Sequence, residues 1–296
     1  MTRKLRNNTA PQSTPRPRSA AVTPSAVARP RRWFWIVLFG VGVLVVGGAG
    51  VAWWWSRMGV VELPLPGDIG DPEVRGALEE AQRQVRTDPR SAAAWGDMGM
   101  TLQANGYGAE ANRYFAEAQR LDPGDGRWPY YRALAALGED SEAALPFLRE
   151  AAAGRLPEKG EESAVRLRLA QALLERQELA EAEELFQNEW QNHPGDPRAG
   201  FGLGLIAQVR GQREAAEKYL TAARNSPTAR KSATAQLAAL ARGRGEMLVA
   251  ARLEKEFATL PNEAPPWPDP LVTQLLRKRV GTNASAQALA QLEAQH

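Results

Sequence analysis

Residues 95–123 read WGDMGMTLQANGYGAEANRYFAEAQRLDP. Trp95, Met98 and Leu102 fall at i, i+3 and i+7, the spacing of one face of a helix. Gly106 permits a turn, and Ala111, Phe115 and Ala118 then form one stripe of a second helix that Pro123 stops. Gly99 and Ala111 lack bulk where two antiparallel helices must approach closely. The stretch therefore predicts a tight helical hairpin. A hairpin this short has an apolar face it cannot bury alone, so the same pattern must return if the fold is built on it.

It does return. Leu169-Ala170-x2-Leu173, Ala182-x3-Phe186 and Pro194 repeat it 71 residues on, and Leu203-Gly204-x2-Ala207, Gly211, Ala216-x3-Leu220-x2-Ala223 and Pro227 after 34 more. Between the first two, Trp128-x2-Tyr131 and Ala144-x3-Leu148-x2-Ala151 stand 33 residues after the first, and the loop 154–160 absorbs the remainder. Pro146 requires the second helix of that unit to begin near Asp140 or Ser141. A weaker fifth unit covers about 230–261, with Leu237, Leu240, Leu253 and Phe257 as its apolar positions. Upstream, 72–87 predicts a single capping helix with Asp71 as N-cap and Val74, Leu78, Ala81 and Val85 on one face. The matches to W-x2-L-G-x2-Y, A-x3-F and P mean that the chain resembles the tetratricopeptide repeat family over 71–261. Two positions depart from the pattern: Arg166 and Gly200 stand where the third and fourth units would carry tryptophan. The resemblance implies an all-α solenoid of helical hairpins, with a groove lined by the first helix of each unit.

Residues 33–55 read WFWIVLFGVGVLVVGGAGVAWWW, a run with no charge. As a helix it is roughly 35 Å long, against a hydrocarbon core of about 30 Å. Tryptophans at both ends suit the two headgroup zones. Eight of the 37 Lys and Arg residues lie in 1–32, which holds no acid; beyond the run, 29 basic residues face 34 acidic ones. Positive charge stays cytoplasmic, so the N-terminus is expected inside and everything after Trp55 across the membrane. A cleaved signal ending at Ala52 is the rival, but it would leave three tryptophans after the cut. The expected organisation is a disordered basic tail (1–32), a transmembrane helix (33–55), a linker (56–70), the solenoid (71–262), and a Pro-rich segment with a helical tail (263–296).

The register places Met100, Gln103 and Ala104 in the groove from the first unit. The third contributes Leu167, Gln171, Leu174 and Glu175, and the fourth Arg198, Phe201, Leu205, Gln208 and Val209. These positions lack the Lys, Asn and Arg set with which some members of the family hold a C-terminal carboxylate. A largely neutral and apolar groove is expected, suited to an apolar peptide or an amphipathic helix. The competing reading is that the chain covers the groove itself. Leu271, Leu275 and Leu276 would then act as self-ligands, and Trp267 with its neighbouring prolines as a strap.

No feature points to catalysis. Cysteine is absent and the two histidines are His193 and His296. That argues against thiolate chemistry, a His-based triad or a His/Cys metal site. Gly124-Asp125-Gly126 reads as a turn, and clusters such as Glu161-Glu162 as helix starts. No cofactor, nucleic acid or small-molecule substrate is expected. The function class is a membrane-anchored scaffold or assembly factor for protein partners. The alternatives are a chaperone of the cytochrome c maturation type, or a regulatory or targeting subunit of a membrane enzyme.

Overall fold

A computed structural model describes residues 65–137 and 141–281. The basic tail, the uncharged run 33–55 and most of the linker lie outside them. Among the described residues no helix is long and apolar enough to cross a membrane.

The described residues form twelve helices. Helix α1 (Pro72–Thr87) precedes five hairpins: α2 (Ala92–Ala104) with α3 (Gly108–Leu121), α4 (Arg127–Leu137) with α5 (Ser141–Ala153), α6 (Glu161–Glu175) with α7 (Leu179–Asn192), α8 (Pro197–Val209) with α9 (Arg213–Ala223), and α10 (Pro227–Gly243) with α11 (Met247–Thr259). Helix α12 (Pro270–Leu276) follows a proline-rich segment. Each hairpin packs on the next, and α1 packs on α2. The architecture is an all-α, tetratricopeptide-type solenoid.

The small residues sit where the helices cross. Ala111, Ala144, Ala182 and Ala216 open the second helices of the first four hairpins and are fully buried. A methyl group added at Gly99 would lie 2.6 Å from the Phe115 ring, and one at Gly204 2.7 Å from Leu220. Such contacts are closer than van der Waals distance, so glycine sets the interhelix spacing. Asp71 caps α1, its Oδ1 accepting from the Glu73 amide at 2.8 Å, and Val74, Leu78, Ala81 and Val85 are buried beneath it. Pro146 lies inside α5, which begins at Ser141. The loop after α5 turns back on the one after α3, where the Arg155 amide donates to Gly124 O at 2.7 Å and the Gly126 amide to Arg155 O at 3.0 Å.

The two departures from the repeat pattern have structural reasons. Trp95 packs on Tyr114 with ring centroids 5.6 Å apart. At the fourth unit, Gly200 leaves room for Trp190 of the preceding helix, which meets Tyr219 edge-on at 5.3 Å. The aromatic pair is thus rebuilt from a different helix. At the third unit, Arg166 Nε donates to buried Glu189 at 2.6 Å, and Ser163 Oγ donates to the same carboxylate at 2.6 Å. Burial pushes the Glu189 carboxyl up, but these donors outweigh it and hold it below the ordinary carboxylate range. In the fifth hairpin Leu237 and Leu253 are buried, whereas Phe257, expected inside, is 38% exposed. Its ring lies 4.9 Å from Lys231 Nζ.

Candidate partner-binding groove

Among the first helices, α2 packs beside α4, and α6, α8 and α10 pack in succession; α12 packs on α2 and on α6. The chain itself runs back along these first helices after α11. Lys231 Nζ, on α10, donates to Leu260 O at 3.1 Å and to Asn262 Oδ1 at 2.7 Å. Trp267 then packs with Phe201 against Ala223, Ala229 and Ala233. Four prolines, 261, 265, 266 and 268, stiffen this stretch and lower the entropy lost on docking it.

Asp269 is the hinge of the arrangement. Its Oδ1 accepts from the amides of Leu271 and Val272, both at 3.1 Å, and so starts α12. Its Oδ2 accepts from the Tyr130 hydroxyl and from Arg168 Nη2, the latter at 3.2 Å. Burial, and then the negative Asp269, push the Tyr130 phenol above its ordinary range, so it stays a donor. Leu271 and Leu275 are buried in the main core, each contributing roughly 1.5–3 kcal/mol by area. Tyr131 Oη donates to Leu271 O at 3.2 Å, and Gln274 Nε2 donates to Glu158 and Glu161. Further on, Lys278 pairs with Asp97. The Asn105 amide then reads backbone alone: its Nδ2 donates to Lys278 O at 3.2 Å and its Oδ1 accepts from the Val280 amide at 3.1 Å. The Gly281 amide reaches Glu73 Oε2 at 3.1 Å.

The residues expected in the groove divide by position. Arg198 and Phe201 meet the tail at Trp267. Gln171 supports Arg198, accepting from its Nη2 at 3.1 Å. Leu167 and Ala104 are buried in the core, and Met100 and Leu174 pack against it. Gln103 and Leu205 are half-buried, and Gln208 Nε2 donates to Gln236 O at 3.4 Å. Val209, 61% exposed, and exposed Glu175 stand at the open ends of their helices. Polar side chains that the expectation left out join this apolar lining. Among the polar residues that meet the tail are Asp97, Asn105, Tyr130, Arg168 and Arg198, and the Asp269 carboxylate is held by Tyr130 and Arg168. Of these five, only Arg198 was among the expected residues.

These features define an α-solenoid whose first-helix face is covered by its own C-terminal stretch. No protein-family model matches the chain and no curated protein matches it in sequence. Solved structures share the fold. The chain is similar to Pseudomonas aeruginosa PilF at 17% identity and a TM-score of 0.51, over 75% of this chain and 91% of that one. It is similar to a chain of the APC/C Cut9–Hcn1 hetero-tetramer at 16% identity and a TM-score of 0.50, over 75% of this chain and 42% of that one. PilW, described as a widely conserved type IV pilus biogenesis factor, gives 16% identity and a TM-score of 0.49, over 64% and 87%. At these identities the likeness is one of fold.

Proposed function

We propose that the chain is a membrane-anchored scaffold that gathers protein partners on the non-cytoplasmic side by taking a short amphipathic segment into its groove. One observation supports this most: the groove already holds a polypeptide segment, residues 267–281, through both backbone and side chains. Asn105 bonds only to main chain, which tolerates varied sequence, while the sites of Leu271 and Leu275 select apolar side chains at helical spacing. The anchor and its orientation rest on the uncharged run 33–55 and the eight positive charges before it. The tethered tail acts at an effective concentration on the order of millimolar, so a partner must displace it, and the scaffold at rest is closed.

The test separates the groove from its occupant. Leu271→Glu with Leu275→Glu puts two charges on the buried face of α12 and releases it, leaving the groove lining intact. The full-length double variant should bind a synthetic peptide of residues 262–281 with native sequence, measured by isothermal titration, while the parent chain should not. Absence of binding to a folded double variant would refute the reading of the groove as a segment-binding surface.

A further inference from the structure

Two guanidinium groups, Arg168 on α6 and Arg198 on α8, face the docked tail, and one buried carboxylate answers them. Asp269 is fully committed: its two oxygens take the two amides of α12, Tyr130 and Arg168. Arg198 is only 5% exposed, yet among the described residues its Nε and Nη1 have no hydrogen-bond partner. Its Nη2 donates to Gln171, and Asp196 caps α8 through the amides of Arg198 and Ala199 rather than through the guanidinium. Burial pushes Arg198 down to about 10, and the positive Arg168 nearby adds to the shift. A guanidinium carries five donors and cannot shed its charge near neutral pH, so burying it with donors unmet is costly.

Among the described residues of the tail, Asp269 reaches Arg198 through its charge and not through a hydrogen bond, and the side chain set against the guanidinium is the Trp267 ring, its centroid 5.9 Å away. That is near the limit of a useful cation–π contact. The residue that faces Arg198 is therefore aromatic where an acid would satisfy free N–H groups in a buried setting. Charge-assisted bonds of that kind are roughly twice as strong as neutral ones.

We propose that the partner of this groove is an acidic amphipathic segment of the pattern acid-x-Asp-x-Leu-x-x-x-Leu. Its first carboxylate takes the place of Trp267 and is read by Arg198, and its Asp and two Leu residues take those of Asp269, Leu271 and Leu275. The chain's own tail lacks the first acid, so it holds the groove until such a segment displaces it. This inference rests on the groove being a segment-binding surface.

The test uses the full-length Leu271→Glu, Leu275→Glu chain and three synthetic peptides of residues 262–281: native, Trp267→Gln and Trp267→Glu. The Glu peptide should bind at least tenfold tighter than the Gln peptide, and Arg198→Gln should abolish the difference. Equal affinity for the two would overturn the role of Arg198 while leaving the groove reading intact. A difference that survives Arg198→Gln would assign the acid to another group and overturn the proposal equally. Failure of all three peptides to bind would instead reject the groove reading itself. A second measurement needs no released tail. In the intact chain, hydrogen exchange at the α12 amides should be slower with Trp267→Glu than with Trp267→Gln, and equal rates would overturn the assignment.

Discussion

Gln177 shows what a single position contributes to a repeated turn. The turns between the two helices of the hairpins place Gly106, Gly211 and Gly245 at φ of +94°, +71° and +77°. At the same place in the third hairpin stands Gln177, at φ +64°, among the described residues the one non-glycine with positive φ. A side chain there crowds the backbone, while glycine adopts this region freely. Gln177→Gly should therefore stabilise the domain by up to about 1 kcal/mol, the relief of strain exceeding the added entropy of the unfolded chain. For a domain of this size that is a rise in melting temperature of roughly 2–4 °C. Thermal unfolding followed by circular dichroism measures it, and a fall in melting temperature would show that the Gln177 side chain contributes more than its strain costs.

At the scale of helices, what was legible is what local packing forces. The hairpins could be read because close crossings demand Gly or Ala at fixed offsets, and Gly99 and Ala111 occupy them. Ala111 and Ala182 are fully buried at equivalent points of two hairpins. Replacing either with Leu inserts bulk into a filled contact and should cost about 1–3 kcal/mol. Melting of the two variants as the parent does would show that the crossings yield freely. The apolar self-ligands Leu271 and Leu275 were legible as a competing reading, but the polar partners of the docked tail were not, because they come from helices far away in sequence. Tyr130 lies 139 residues from Asp269, and Arg168 lies 101. One signal was present nonetheless. Asp97, Tyr130 and Arg168 each stand two places after the tryptophan position of their units, at 95, 128 and 166. Read down the repeats as a column, that position faces the tail and is polar in three successive hairpins. The expected groove took nothing from the second unit, where Tyr131 reads as a repeat position and Tyr130 beside it is not singled out.

At the scale of the whole molecule, the proposed function joins two properties, a covered first-helix face and a membrane anchor. On that reading an anchor would confine the chain to a surface, where partners on the same side would meet it at raised local concentration, and the tail would cover the apolar seats of Leu271 and Leu275 until one arrives. The proposed role needs the solenoid on the non-cytoplasmic side of the membrane. The charge asymmetry predicts that disposition: eight positive residues before 33–55, and only Arg57 close behind it before Glu62, Asp68 and Asp71. The chain has no cysteine, so a single introduced one is a unique label. Thr221→Cys places it on an exposed position of α9, and Ser19→Cys in the basic tail. In cells whose cytoplasmic membrane is sealed, an impermeant maleimide added outside that membrane should label Thr221→Cys and not Ser19→Cys. Permeabilisation should then expose Ser19→Cys. The reverse pattern would invert the orientation and place the groove among cytoplasmic partners. Labelling of Thr221→Cys on a shortened chain, with Ser19→Cys absent from it even after permeabilisation, would mean that the run is cleaved and that the scaffold acts free of the membrane.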